Sequence, residues 1–154
     1  MTTANPYLQH AGLVQPLIDF GMTIGAQGLE TSLQELIKIR ASQLNGCAIC
    51  LAMHSMAARA EGESELRVVM LDAWRESALY SARERAALGW TEALTRLTDH
   101  TRIEEARAAL AAEFSEEEQV KVTLMIIAIN GFNRIGVGFG LTDAMAPKPR
   151  KAAA

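Results

Sequence analysis

The 154-residue chain has no excess of basic charge and no long uninterrupted apolar run. Its 15 basic and 18 acidic residues give a formal net charge of -3, so the chain lacks the basic stripe that attracts nucleic-acid phosphates. No stretch of about 18 consecutive apolar residues marks a membrane-spanning segment. These two absences predict that neither nucleic acid nor a membrane is a partner.

A secretory signal is also missing, and cysteine is scarce. Residues 1–5 do not show the charged and then apolar pattern of a signal peptide, so the predicted location is the cytoplasm. The only two cysteines, Cys47 and Cys50, are three residues apart and are a poor basis for a structural disulfide framework. In a reducing compartment, such a local pair indicates redox chemistry or metal binding.

Apolar residues recur at helical spacing through most of the chain, and no sustained alternation of period two marks a strand. The pattern predicts an all-α fold, a compact single-domain bundle of about six to seven helices over residues 1–142. Residues 143–154 have little to bury and are predicted to form a mobile C-terminal tail.

Local capping signals predict where the helices begin and end. Three Ser/Thr-x-x-Glu pairs have the spacing of capping boxes, namely Ser81 with Glu84, Thr101 with Glu104, and Ser115 with Glu118. The predicted helices span residues 6 to 25 or 28, 31–44, 47–60, 65–74, 82–97, 102 onward and 116–137.

The last predicted helix is apolar on nearly every side. Such a helix cannot face water, so we expect it to serve both as a core helix and as part of a subunit interface. The glycines at 136, 138 and 140 follow a helix rather than a strand, so they are not a nucleotide-binding loop and are predicted to end this helix.

Two sulfurs and one imidazole converge at the predicted start of the third helix. At a rotation of about 100° per residue, Cys50 lies about 300° and His54 about 340° around the helix from Cys47. All three side chains therefore share one face. Asn45-Gly46 is a left-handed C-cap signal for the preceding helix, which places both thiols in the first turn of a new one.

This placement favours thiol chemistry. Unpaired N–H groups and the positive dipole end of the helix stabilise a thiolate. His54 is four residues after Cys50, where it can accept the thiol proton or act as counter-ion. A thiolate beside a second thiol can attack an electrophilic sulfur or a peroxide oxygen and then be resolved into a disulfide.

Two other interpretations of these residues remain open. Free cysteine packs as a small hydrophobe, so the pair can be buried without a chemical role. The spacing also suits a zinc site formed by Cys47, Cys50 and His54, with Glu35 or a water molecule as the fourth ligand. No second cysteine pair is available to complete a structural zinc site.

The segment ELIKIRASQLNGCAICLAMHS, residues 35–55, resembles the core of the alkylhydroperoxidase AhpD family, which belongs to the carboxymuconolactone decarboxylase superfamily. The similarity continues through AWRE, ERAAL and WTEAL in residues 73–94, and through FSEE and residues 129–134. It covers residues 5 to 140, which is much more than an isolated CxxC motif.

The resemblance implies an all-helical homo-oligomer, in dimeric, trimeric or hexameric form, that reduces organic hydroperoxides without a metal or organic cofactor. By the family pattern, Cys50 is the peroxidatic cysteine, Cys47 resolves it, and His54 and Glu35 relay protons. The family also implies a dithiol protein or a lipoyl-type carrier as the reductant.

Two positions, Glu35 and Ile49, bear on the proton relay that the resemblance implies. Ser32 with Glu35 also has the spacing of a capping box, which would make Glu35 a structural residue. Well-characterised alkylhydroperoxidases have a histidine directly before the second cysteine, whereas this chain has Ile49, so one donor of the family's relay is absent.

Three alternative functions stay open at this stage. The first is a non-catalytic redox-sensing oligomer, and the second is a metal-binding module. The third is an enzyme like the carboxymuconolactone decarboxylases, although those decarboxylases lack the paired cysteines present in this chain.

Overall fold

The computed structural model describes residues 4–142 and residue 144, and within them it contains helices but no strand. This confirms the predicted all-α class. The elements are α1 (Pro6–Gln9), α2 (Ala11–Gly25), α3 (Thr31–Asn45), α4 (Ala48–Ala60), α5 (Glu65–Met70), α6 (Ala82–Thr95), α7 (His100–Glu113) and α8 (Glu116–Gly138), with a 3₁₀ turn at Leu71–Ala73 between α5 and α6. Apart from residue 144, the predicted tail lies outside the described residues.

Two of the predicted capping boxes are confirmed and one is wrong. Ser81 and Ser115 each accept a hydrogen bond from the backbone N–H of the glutamate three residues later, and each glutamate returns a bond to the serine N–H. Helix α7 instead begins at His100, because Asp99 is its cap and its side chain accepts from Arg102 N–H. Thr101 therefore lies inside the first turn.

The first and fourth predicted helices differ from the structure. The first is divided at His10, whose φ of -136° and ψ of 41° leave the helical region, so α1 and α2 are separate. The fourth runs as an α-helix only to Met70 and tightens into the 3₁₀ turn before Trp74.

Helix α3 lies between two apolar clusters and contributes to both. Leu33 and Ile37 pack in one cluster with residues of α6, α7 and α8. Leu36 and Ile39 pack in the other with Leu71 and further residues that follow α4 along the chain. These four α3 side chains are all buried, so α3 fixes the relative positions of the surrounding helices.

Helix α8 has one buried face and one exposed apolar face. By length and composition alone it could cross a membrane, but 39% of its most apolar window is buried inside the protein. Its buried face packs against α3 and α2. The predicted role in the core is confirmed, and its other face exposes Val120 and Ile127.

Candidate active site

The turn between α3 and α4 sets the position of both cysteines. Gly46 has φ +66° and ψ 33°, the left-handed conformation predicted from the Asn-Gly pair. The N–H of Gly46 donates to the carbonyl of Gln43, and the N–H of Cys47 donates to the carbonyl of Ser42. This hydrogen-bond pattern is a Schellman motif, and it ends α3 immediately before the first cysteine.

Cys47 is the N-cap of α4 and Cys50 is the third residue of that helix. Their sulfurs form a disulfide across a Cα–Cα distance of 5.4 Å. In the single chain Cys47 is 1% exposed and Cys50 is 6% exposed. The bond therefore lies at the amino end of α4, almost covered, with Cys50 the more accessible of the two residues.

Glu35 and His54 meet across the interface of α3 and α4. The distance between Glu35 Oε2 and His54 Nδ1 is 2.9 Å. The other carboxylate oxygen, Oε1, accepts from Lys38 Nζ at 2.7 Å. Since Glu35 is buried and His54 is only partly exposed, this is a three-residue polar cluster inside the helix interface.

The pKa of Glu35 is lowered from its ordinary value. Burial raises the pKa, but hydrogen bonds and charge interactions with His54 and Lys38 outweigh that effect. An ionised carboxylate can only accept hydrogen bonds, so His54 Nδ1 carries the hydrogen in this pair. In the neutral imidazole, Nε2 is then the basic nitrogen.

The four predicted site residues are brought together only in part. Cys47 joins Cys50, and Glu35 joins His54, but no hydrogen bond links His54 to either sulfur among the described residues. Cys50 and His54 are linked only by their i,i+4 spacing on α4. The two pairs are thus connected through α4, which carries Cys50 and His54, whereas Glu35 lies on α3.

The capping-box interpretation of Glu35 is wrong. Helix α3 has no side-chain N-cap hydrogen bond, and Ser32 Oγ donates to Glu63 rather than capping the helix. Both oxygens of Glu35 are used by His54 and Lys38. Tertiary partners have replaced the local pairing that the spacing suggested.

Sequence reasoning missed Gly136 and Lys38. A methyl group on Gly136 would lie 2.7 Å from Cys47 Sγ and 3.3 Å from Ile49 Cγ2, so α8 approaches the disulfide closely at this glycine. Gly136 is inside α8, which ends at Gly138, so only part of the glycine cluster follows the helix as predicted. Lys38 had an available signal, its i,i+3 spacing to Glu35.

A buried network of amides ties α3 to α8 beside the Gly46 turn. Asn45 Nδ2 donates to Asn130 Oδ1 at 3.0 Å and to Asn133 Oδ1 at 2.9 Å. Asn133 Nδ2 in turn donates to Ser42 Oγ at 2.9 Å. These asparagines therefore hold the end of α3 against α8, as expected for amides on an apolar helix.

No group of three or more His, Cys, Asp or Glu side chains is arranged to hold a metal ion within the described part of the chain.

A large groove of about 900 Å³ exists elsewhere, lined by residues of α6 and α7 together with Arg40 and Trp74. None of the four predicted site residues lines that groove.

A protein-family model described as the carboxymuconolactone decarboxylase family matches residues 12–93. The chain belongs to the carboxymuconolactone decarboxylase family. The matched segment runs from α2 to α6 and contains all four predicted site residues.

Two bacterial proteins are similar in sequence to part of this chain. The uncharacterized protein YdfG of Bacillus subtilis is 42% identical over 107 residues, which span 70% of this chain and 73% of YdfG. The uncharacterized protein YnjA of Escherichia coli is 32% identical over 99 residues, 64% of this chain and 53% of YnjA.

Solved structures show the same fold. One is a protein of unknown function from Agrobacterium tumefaciens, which has been proposed to be the antioxidant defence protein AhpD. It superimposes on this chain with a TM-score of 0.89 and 38% sequence identity, and the match covers 97% of this chain and 100% of that one. The debrominase Bmp8, as a C82A variant with 2,3,4-tribromopyrrole, has a TM-score of 0.75 and 22% identity, covering 86% of this chain and 71% of its own. The chain is therefore an AhpD-like member of the superfamily.

Proposed function

We propose that this protein is a thiol-dependent peroxidase that reduces organic hydroperoxides through a Cys47/Cys50 dithiol–disulfide cycle. The observation that carries the proposal is the disulfide at the amino end of α4, on the helix that also holds His54. The AhpD-like fold and the similarity to a proposed antioxidant protein agree with it.

In the first step the Cys50 thiolate attacks the terminal oxygen of the hydroperoxide. The O–O bond breaks, the sulfur is oxidised by two electrons to a sulfenic acid, and the alkoxide takes a proton and leaves as the alcohol. Cys50 is assigned this role because it is more accessible than Cys47 and is four residues before His54.

In the second step Cys47 attacks the sulfenic sulfur of Cys50. An S–S bond forms, the S–O bond breaks, and the hydroxyl group leaves as water after taking a proton. An external dithiol, either a protein or a lipoyl-type carrier, then reduces the disulfide and becomes a disulfide itself. A reducing cytoplasm, the predicted location, would supply such a donor.

The Glu35–His54 pair is suited to move the protons in both steps. Glu35 holds the imidazole by Nδ1, which leaves Nε2 to accept the thiol proton and to donate it to the departing oxygen. No direct hydrogen bond joins Nε2 to the sulfur in the described residues, so we infer that the proton passes between them through a water molecule. Glu35 thus has the role of orienting the imidazole.

The direct test is consumption of cumene hydroperoxide or t-butyl hydroperoxide with a dithiol reductant. We expect Cys50→Ser to abolish turnover. Cys47→Ser, treated with hydroperoxide before any reductant is added, should stop after one equivalent with a sulfenic acid that dimedone traps. Full turnover by Cys50→Ser would contradict the assigned roles.

The same preparations separate the alternatives. A redox-sensing oligomer would form the disulfide but show no catalytic turnover, and its mass would change with oxidation. A metal-binding module would contain a stoichiometric metal after purification under reducing conditions. Turnover of a lactone acid with both cysteines replaced by serine would instead indicate a decarboxylase.

A further inference from the structure

Helix α8 meets the disulfide at one point, Gly136. The ideal Cβ position there is 2.7 Å from Cys47 Sγ, which is closer than real Cβ contacts allow, and 3.7 Å from Cys50 Sγ. Gly136 is buried and is not in the left-handed region, so its backbone does not require glycine. Glycine is required at this position because Cys47 Sγ occupies the space that a Cβ would need.

The contact concerns the closed disulfide in particular. Two sulfurs that are not bonded cannot remain at bonding distance, so at least one moves when the disulfide is reduced. Cys47 is the N-cap with an extended backbone, at φ -86° and ψ 96°, whereas Cys50 is inside the helix, where side-chain rotamers are restricted. Cys47 is therefore the side chain with more freedom to turn away from α8.

We propose that Gly136 is a positioning residue that leaves room for Cys47 Sγ when the disulfide closes. The inference rests on the dithiol–disulfide cycle of the proposed function. A methyl group at this position would penalise the disulfide, in which Cys47 Sγ is fixed against α8, more than the dithiol, in which Cys47 can adopt another rotamer. The absence of a side chain at Gly136 thus favours the step in which Cys47 attacks Cys50 and closes the disulfide.

The test is the thiol–disulfide equilibrium of the full-length protein in buffers of reduced and oxidised dithiothreitol. The fraction of closed disulfide is read by alkylation of free thiols and mass spectrometry. For Gly136→Ala we expect the equilibrium constant for disulfide formation to fall about fivefold or more, the lower end of the effect of an inserted methyl group in a packed core.

Two other glycines of α8 provide matched controls. A Cβ on Gly138 meets nothing within 4 Å, so Gly138→Ala tests the change in helix propensity alone. A Cβ on Gly131 lies 3.2 Å from Leu17 Cδ1, so Gly131→Ala tests a packing disturbance of α8 away from the sulfurs. We expect both variants to stay within about twofold of the wild-type equilibrium.

A purely structural role for Gly136 predicts a different result. If the methyl group only disturbs packing against Ile49, Gly136→Ala will lose equal stability in the oxidised and reduced proteins, and its thiol equilibrium will match that of the wild type. That outcome would overturn the inference. Replacing Cys47 by alanine removes the clashing sulfur, so in this background Gly136→Ala should lower the urea midpoint less than in the oxidised wild type.

The outcome is independent of hydroperoxide turnover. A shifted equilibrium in a protein that consumes no hydroperoxide would retain the role of Gly136 and reject the peroxidase proposal. Hydroperoxide turnover by the wild type, together with an unshifted equilibrium in Gly136→Ala, would support the peroxidase proposal and reject the role of Gly136.

Discussion

The charge of the Glu35 carboxylate depends on two donors, His54 and Lys38, which reach it from α4 and from its own helix. Their hydrogen bonds and charges lower its pKa in spite of burial. A carboxylate in this environment stays ionised at neutral pH, so it accepts the Nδ1 hydrogen of the neighbouring imidazole. This contact fixes the orientation of the ring, which the proposed proton transfer through Nε2 requires.

The lowered pKa predicts an acid-dependent loss of stability. Because the folded-state pKa lies below the unfolded value of about 4.3, the contribution of Glu35 is complete above that value and is lost as the pH falls through the folded pKa. In urea unfolding between pH 6 and pH 3, Glu35→Gln should therefore show a shallower decline than the wild type.

Other glutamates also titrate in this range, and the pKa values of Glu30, Glu63 and Glu92 are lowered as well. They are present in both proteins, so the difference between the two curves isolates Glu35. Parallel curves would show that its ionisation is not coupled to folding. Lys121→Met, which removes a surface ion pair with Glu117, is the control.

The sequence alone predicted Cys47, Cys50 and His54 as one group, because their spacing places all three side chains on one face of a helix. Glu35 required the family resemblance, since it is on another helix. Gly136 could not be predicted, because its contact with Cys47 Sγ depends on how α8 packs across α4, and no periodicity encodes that distance.

Among the elements, the α3–α4 turn most directly controls the site. The Schellman motif at Gly46 ends one helix and sets the extended N-cap conformation of Cys47. Gly46→Ala would place a Cβ in the left-handed region, at a cost of about 1–2 kcal/mol. We expect this loss in the unfolding free energy, measured by urea denaturation.

Gly12→Ala is the matched control for that substitution. Gly12 is in α2, has no positive φ, and a Cβ there meets nothing within 4 Å. Its replacement should be neutral or stabilise the helix by about 0.5–1 kcal/mol. If Gly46→Ala and Gly12→Ala had the same effect, the left-handed turn would not limit the folding of this segment.

Element boundaries were predictable where the capping partners are local. Ser81 and Ser115 bond to glutamates three residues away, so the sequence contains the whole interaction. Ser32 and Glu35 have the same spacing, but Glu63 and His54, which are 31 and 19 residues away from them, are their partners instead. A local sequence pattern contains no information about hydrogen-bond partners that are so far away along the chain.

At the scale of the whole molecule, one face of α8 has no partner within the described chain that covers it. Ile127 is 53% exposed, and it lines an open apolar depression with Leu94, Leu97 and Gly131. Val120 lies seven residues before Ile127, about two helical turns away on the same face. An exposed apolar surface of this kind is typical of a subunit interface, in agreement with the predicted homo-oligomer.

We propose that this face of α8 is the subunit interface, so Ile127→Glu should weaken self-association because it would place a charge in a contact that excludes water. Sedimentation velocity should show a shift to smaller species at equal protein concentration, while circular dichroism keeps the helical signal. Val69→Glu, at a residue on α5 that is 64% exposed, should leave the oligomer unchanged. An unchanged mass for Ile127→Glu would place the subunit contact on another surface.

The global architecture was predictable in class but not in arrangement. Helical periodicity gave the all-α fold and most helix positions, and the resemblance gave the family. The central position of α3 was not expected, because Leu33, Ile37, Leu36 and Ile39 divide between two clusters only after α4, α6 and α8 have packed. Such a division follows from tertiary structure.

The disulfide between Cys47 and Cys50 encloses only two intervening residues. In the chain-entropy description, cross-linking such a small ring costs the unfolded ensemble about 2 kcal/mol of conformational entropy, less than half of the cost of a crosslink that closes a loop of about 100 residues. Opening the bond thus increases the conformational freedom of the denatured chain less than opening a long-range crosslink would. In the proposed cycle, the exchange of two electrons in each turnover would therefore be coupled to a change of only about 2 kcal/mol in the unfolding free energy of the helical scaffold.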